Sequence, residues 1–391
     1  MEFNIPGTIP LVNDEFAGEP AKRALHYLQS KRQQGHPVVG IYCGYAPMEM
    51  IRAMGAGIAV LCAFSEKTIA AAEVALPSNL CPLIKSSYGF IATDTCPFYG
   101  FSDVIVAETT CDGKKKMFEL IRHLKPMHVM DLPQLPDEQE AESNWSAMIR
   151  KLKAFLEKTL DRRATDRDIE AAIKDTNRKN RIMNSVFDFA ARKPPVINWK
   201  EIYDLTFLAV PASAADIHGL LQESLNRLER RVKEGIHYGK NGAPRVLVTG
   251  CPVAGDAAKV FNIIEQAGGV IVAIDSCTGM KGFMSEIEED TADPIAAIAR
   301  RYLKIPCACM TPNLRRLSEM DRWIERFKPD AIVDVVLHAC HGYNVESHKV
   351  MQHVTEKGIP FLKIETDYSA TDVGQIRTRA EALFETLQRT K

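Results

Sequence analysis

The sequence contains no Cys-x-x-Cys pair, although it carries ten cysteines in 391 residues. That absence excludes the paired knuckles of a structural zinc site, a thioredoxin-type redox pair and the dense cysteine run of a small ferredoxin. No G-x-x-x-x-G-K-[ST] occurs, so the chain has no ATP-binding P-loop of its own. The segment TGCPVAGD (249–256) lacks the three glycines of a dinucleotide loop, and neither G-x-S-x-G nor H-E-x-x-H is present. No apolar run approaches the roughly 18 residues of a membrane helix. The N-terminal MEFNIPGTIPLVNDEFAGEP carries acids and prolines where a signal peptide would be basic and then apolar. A cytoplasmic protein without membrane attachment is therefore expected. The net charge of -1 provides no basic excess for nucleic acid, and Lys114–Lys116, the only dense basic cluster, reads as a solvated helix face.

What is present is alternation. Residues 14–34 have the spacing of an amphipathic helix. The short apolar runs PVVGIYC (37–43), GIAVLC (57–62), SDVIVAETTC (102–111) and PMHVMDLPQ (126–134) alternate with helical segments such as PMEMIRAMG (47–55) and GKKKMFELIRHL (113–124). This pattern predicts a parallel, doubly wound sheet. Residues 137–236 are charge-rich and helical, with faces of the kind that usually meet solvent. A second series follows in RVLVTGC (245–251), VIVAIDSC (270–277), KPDAIVDVVLHAC (328–340) and GIPFLKIETD (358–367), with a helix expected over 345–357. The expected architecture is α/β. Two similar doubly wound parallel-sheet domains face each other across a cleft, with an intervening helical segment. The boundaries are 1–36 (N-terminal helical segment), 37–136 (first α/β domain), 137–243 (helical segment and linker) and 244–391 (second α/β domain).

The cysteines follow the same repeat. Cys43 and Cys251 end first strands, Cys62 and Cys277 end second strands, and Cys111 and Cys340 end later strands that lead into helices. Ligands of open parallel sheets bind beyond the carboxyl ends of the strands, so six thiols at those ends predict one thiol-lined cleft. Cys81, Cys96, Cys307 and Cys309 lie in loops. In a reducing compartment such thiols are buried hydrophobes, ligands or nucleophiles. Soft thiolates gathered from distant loops suit iron–sulfur chemistry. Helices beginning just after Cys43, Cys111, Cys251 and Cys340 would aim their amino ends at an anionic core. Around the cysteines, Glu49 is a candidate proton donor or a first-turn acid of its helix. His338 and His341 flank Cys340 as candidate proton carriers or structural side chains. Glu365 and Asp367 are weaker candidates by position.

The segments YCGYAPMEM (42–50), NLCPLIKSSYGF (79–90), DTCPF (94–98), VAETTCDGKKKM (106–117), TGCPVAGDAAKV (249–260), DSCTG (275–279), IPCACMTPN (305–313), ACHGYNVES (339–347) and IETDYSATDVGQ (364–375) span nearly the whole chain. Through them the sequence resembles the 2-hydroxyacyl-CoA dehydratase and benzoyl-CoA reductase subunits, and within that family the single-subunit double-cubane cluster proteins. The resemblance implies a [4Fe–4S] cluster on three cysteines, which by position look like Cys81, Cys111 and Cys340. In the double-cubane branch it implies an [8Fe–9S] cluster on six thiolates. Cys43, Cys277 and either Cys307 or Cys309 fit that further demand. Cys62, Cys96 and Cys251 would be supporting thiols, any of which could take a ligand's place. The resemblance further implies a homodimer, a small-molecule substrate and a separate homodimeric ATPase activator that carries its own [4Fe–4S] cluster and supplies low-potential electrons. The missing P-loop agrees with that division of labour. Lys114–Lys116 would then lie near the docking face. The rival readings are a dehydratase subunit with one [4Fe–4S] cluster, a cluster or electron carrier that performs no chemistry, and a metal-free cysteine-rich protein.

Overall fold

The computed structural model describes residues 20–389; the part of the first expected helix that precedes residue 20 lies outside them. The runs rich in Val and Ile become eight short strands in two parallel sheets. The first sheet holds β1 (Val38–Ile41), β2 (Gly57–Val60), β3 (Val104–Glu108) and β4 (Met127–Met130), in the order β2-β1-β3-β4. The second holds β5 (Arg245–Gly250), β6 (Val270–Asp275), β7 (Ala331–Leu337) and β8 (Phe361–Thr366), in the order β6-β5-β7-β8. The two orders are the same, so the chain is an α/β protein of two similar lobes. In each lobe the order reverses between the first and third strands, and the crevice at such a switch point is where open α/β sheets bind ligands. Every residue of β1, β3, β5, β6 and β7 is buried, as expected of parallel strands covered on both faces.

The charge-rich middle of the chain is not a solvated appendage. It forms the helices Ala141–Leu160, Asp166–Ala191, Trp199–Ala209 and Ala214–Glu234. The second and third of these open with capping boxes, Thr165 with Asp168 and Asn198 with Glu201, which satisfy otherwise orphaned backbone donors. The helix Ala141–Leu160 buries Trp145, Ile149, Leu152 and Leu156 and packs on Pro294–Leu303 of the second lobe. Its charges join the lobes as well, through the pairs Arg150–Asp293 and Glu142–Arg300. Asn177, Asn180 and Asn184 stand on one face of the helix Asp166–Ala191 and donate to the carbonyls of Ile287, Ser285 and Phe283. This amide ladder ties the carbonyls of the partly exposed stretch 283–287 to the helix and so gives its backbone acceptors partners. Helical spacing marked these helices correctly. Their polar residues misled because they bond to the other lobe in place of water.

The lobes also meet directly beyond β2. Asp256 accepts from the Glu66 backbone and the Ser65 hydroxyl, and its own N–H donates to the Phe64 carbonyl, 2.9 Å away. Gly255 has φ +50°, and a Cβ there would lie 2.2 Å from the Phe64 oxygen. Gly255→Ala is therefore expected to cost about 1–3 kcal/mol by forcing this junction apart, read as a lowered urea midpoint.

Candidate thiol site between the lobes

The turns after the strands deliver the thiols. Cys43 and Cys62 lie two residues beyond β1 and β2, Cys251 one beyond β5, Cys277 two beyond β6, and Cys111 and Cys340 three beyond β3 and β7. Each of these turns is short, so the thiols stay at the switch-point edge of their sheets. Cys111, Cys340 and Cys81 are the N-cap residues of the helices Asp112–Ile121, His341–Thr355 and Pro82–Ala92. Their thiols therefore stand beside unpaired amides and the positive end of a helix dipole. The helix after Cys340 begins at His341, four residues earlier than its spacing suggested. For Cys43 and Cys251 the expected dipole is missing, because the next regular turns start only at Met48 and Gly255. Ala339, at φ +56°, adopts the left-handed conformation that a residue with a Cβ normally avoids, and this swings Cys340 back toward the first lobe.

Two sets of thiols result, each drawn from both lobes. In one set, Cys340 shares hydrogen bonds with Cys81 and with Cys251. In the other, Cys43 lies within electrostatic reach of Cys277, Cys307 and Cys309. Cys62 stands between the sets and feels Cys81, while Cys277 feels Cys62. Cys111 is exposed and faces the ammonium of Lys114. Cys96 joins neither set; it accepts from the Tyr99 backbone and caps the short helix Pro97–Phe101.

Burial pushes the thiol of Cys43 up, and that of Cys277 up to about 11. Cys81 is raised chiefly by its hydrogen bond with Cys340, and Cys340 chiefly by its bond with Cys251, against the opposing effect of Cys81. Cys307 is the exception. A hydrogen bond from Cys309 holds it below the usual thiol range, with help from Lys281 and Tyr343, while Cys309 is pushed up by the same bond. The C-x-C pair thus keeps one proton on Cys309. The Tyr343 hydroxyl points at the Cys307 sulfur from 4.0 Å, and Cys309 at the Tyr45 hydroxyl from 3.9 Å.

A cavity of about 280 Å³ opens on these thiols. Cys43, Cys62 and Cys277 line it with Glu49, Lys114 and Lys281, and the helix Asp166–Ala191 contributes a third wall through Thr176 and Asn180. A second cavity of about 620 Å³, walled by Phe64, Phe90, Phe98, Trp199 and Tyr203, touches the first at Cys62 and Phe98. Glu49 is buried and accepts from the Tyr302 hydroxyl at 2.8 Å. His341 is exposed in the first helical turn after Cys340 and does not line the cavity. His338 pairs with Glu365 on the surface. Of the lysine run, Lys116 is exposed and paired with Glu119, and Lys115 pairs with Asp112, but Lys114 turns inward and donates to the Tyr42 carbonyl at 3.0 Å. Reading the whole run as a solvated face or a docking patch is thus corrected for Lys114.

Several residues of the site were not singled out in the sequence. Glu108 ends β3 fully buried, and neither carboxylate oxygen has a hydrogen-bond partner. Burial pushes it up to about 8 against the pull of Lys114, so it carries a proton at neutral pH. An acid closing an otherwise apolar strand, VIVAE, was the available signal. Tyr45 and Tyr343 follow Cys43 and Cys340 as Cys-Gly-Tyr and Cys-His-Gly-Tyr, a repeated turn that spacing alone could have flagged. Asp275, which closes VIVAID, carried the same sign as Glu108, whereas Arg316 and Lys281 carried none. Among the described residues, no three His, Cys, Asp or Glu side chains converge on a point in the manner of a single-ion site.

A two-lobed α/β chain with paired thiol sets at its facing sheet edges defines the class. Residues 43–387 match the family model described as 2-hydroxyglutaryl-CoA dehydratase, D-component, and the chain belongs to that family. It is 39% identical over 382 residues to the "Putative dehydratase subunit YjiM" of Escherichia coli (strain K12), covering 97% of this chain and 98% of that protein. It is 21% identical to the (R)-phenyllactyl-CoA dehydratase beta subunit of Clostridium sporogenes, over 93% of this chain and 95% of the relative. It is 22% identical to the lactoyl-CoA dehydratase subunit beta of Anaerotignum propionicum, over 95% and 97%. The solved periplasmic haem-binding protein BhuT spans 90% of this chain and 98% of its own at 12% identity, with a TM-score of 0.19 that carries no argument about fold. No helix among the described residues is long and apolar enough to cross a membrane.

Proposed function

We propose that this chain holds an [8Fe–9S] double-cubane core on its two thiol sets and reduces a small molecule in the adjoining cavity, with electrons delivered by a separate ATP-hydrolysing activator. One observation carries the reading: the thiols gather as two sets, and each set needs both lobes. Cys81 and Cys340 would hold one half of the core with Cys251, which the structure places beside Cys340, or with the exposed Cys111, and Cys43, Cys277 and Cys307 or Cys309 would hold the other. The donor set fits, since it is made of soft thiols without interleaved imidazole or carboxylate. A core of several irons has its ligands around a volume, so a single-ion cluster of side chains is not required. When bound, such a core supplies single electrons at low potential, chemistry that no side chain here can supply.

The chain's own residues do the rest. Most thiols near the cavity are protonated in the free protein, so loading the site releases protons. Amides at the N-caps of Cys81, Cys111 and Cys340 face the site. The aromatic wall of the second cavity limits water and favours a small apolar reactant. Glu108 holds a proton beside Cys43 and Cys62, and Glu49 with the Tyr302 hydroxyl offers a second proton-bearing pair on the opposite side.

The test is metal content after anaerobic purification or reconstitution. About eight irons per chain supports the double core, whereas about four supports the second reading, a dehydratase subunit with one [4Fe–4S] cluster. The second reading draws on the relatives named as beta subunits of acyl-CoA dehydratases. Colourless protein with ten free thiols sinks both. Cys277→Ser and Cys340→Ser, taken from different sets, are each expected to lower iron content, while Cys96→Ser leaves it unchanged, measured by iron and sulfide analysis.

A further inference from the structure

Of the four lysines lining the cavity, Lys179 is spent on the Ala209 and Ala212 carbonyls and Lys304 is exposed, which leaves Lys114 from the first lobe and Lys281 from the second beside the thiols. Lys281 is the more unusual. Its side chain is 6% exposed, and its Nζ is buried without a hydrogen-bond partner. The nearest anion, Asp275, stands 3.4 Å away, outside hydrogen-bond geometry. Asp275 is already engaged: its Oδ2 accepts from Arg316 at 2.5 Å and from the Thr249 hydroxyl at 2.7 Å. Arg316 also reaches Glu346 at 3.4 Å, and the Asp275 Oδ1 nearest Lys281 makes no hydrogen bond, so Lys281 has a charge partner but keeps its N–H donors unspent. The Tyr343 ring lies 5.9 Å from the ammonium and aims its hydroxyl at Cys307. Lys114 bonds a single carbonyl, that of Tyr42, and faces Cys43, Cys62 and Cys111.

A buried ammonium whose N–H donors are unpaired is costly to keep, and its cost falls away once acceptors carrying negative charge occupy the space it faces. An ammonium has three donors, so Lys281 can donate into the cavity while it keeps its contact with Asp275. We infer that Lys281 and Lys114 are the built-in counter-charge for the anionic core held by these thiols, positioning residues that retain the core and set its potential. This inference rests on the reading of the site given above. Each lobe brings one cation to its own thiols, and Lys114 also reaches Cys277 of the second lobe, so the two cations flank the set that both lobes share.

The experiment uses the full chain after anaerobic loading with iron and sulfide. Two quantities are read on wild type, Lys281→Met and Lys281→Arg: the midpoint potential by spectroscopically monitored redox titration, and the rate at which a chelator removes iron. Loss of the cation should shift the Met variant to a more negative potential and speed iron release about tenfold or more, the usual scale for residues that support a metal site from outside its ligand sphere. The Arg variant, which keeps the charge, should stay near wild type on both. Asp275 retains Arg316 in the Met variant, which protects the fold; Lys114→Met provides an independent second variant with the same expected direction. A loaded Met variant with wild-type potential and release rate overturns the inference alone. Wild type that takes up no iron and sulfide overturns the reading of the site, and this inference with it.

Discussion

Replacing Arg316 with Met is expected to destabilise the folded chain by about 3–5 kcal/mol, the cost of stripping one partner from a buried ion network. The guanidinium is almost fully buried, donates to the Asp275 carboxylate at 2.5 Å and the Thr249 hydroxyl at 2.6 Å, and comes within 3.4 Å of Glu346. Burial alone would push the Asp275 carboxyl up, but Lys281 and Arg316 outweigh it and hold it below the usual carboxylate range. The network's contribution is therefore present at neutral pH and lost on acidification through that depressed value. Met fills most of the volume, so the loss measures the charge more than a cavity. Equilibrium denaturation checks the size. The double variant Arg316→Met with Asp275→Asn should recover part of the loss, since the carboxylate bonded to Arg316 is then neutral while Glu346 and Lys281 remain. If the double variant is as unstable as the single one, the network matters for packing and not for charge.

That network bears on what could be read in the sequence. The inner strands β1, β3, β5, β6 and β7 were legible because each is a short apolar run rich in Val and Ile, and burial on both faces of a parallel sheet leaves little polar alternation to confuse the pattern. The facing of the two lobes followed from six cysteines at strand ends, because a doubly wound sheet has only one edge where such ends collect. The membership of the two thiol sets was not legible. Cys340 meets Cys81 of the other lobe by way of the turn at Ala339 and the placement of the helix Pro82–Ala92. Lys114 was misread for a related reason. Three consecutive helical residues point in three directions, and a charge run says nothing about which of them faces inward. Lys281 and Arg316 lie in irregular or amphipathic stretches where a cation is ordinary, and their meaning comes from Asp275, reached only when β6 and the helix Leu314–Phe327 pack together. Local periodicity reports burial, whereas pairing between buried charges is a property of the tertiary structure.

The other large effect belongs to the acid that ends β3, and it has the opposite sign in pH. Burial raises Glu108 from 4.5 to about 8, with Lys114 opposing. Across that interval the folded chain keeps a proton that the unfolded chain has given up, so stability falls as pH rises and levels off above the upper value. At about 1.4 kcal/mol for each pH unit, the full interval amounts to at most roughly 5 kcal/mol. Glu108→Gln keeps the shape and removes the titration. Its amide is left short of partners in the same pocket, at about 1–3 kcal/mol at every pH. The stability curves of the cluster-free proteins should therefore cross, with wild type the more stable at pH 5 and the variant gaining on it steadily toward pH 8. Urea midpoints under reducing, chelator-treated conditions measure this. The unfolded thiols begin to ionise toward pH 8 in both proteins alike, so the difference between the two curves, and not either slope alone, isolates Glu108. Parallel curves would mean that Lys114 holds Glu108 ionised throughout, in which case the carboxylate belongs with the thiols as one more anion facing the two lysines and has no proton to give at neutral pH.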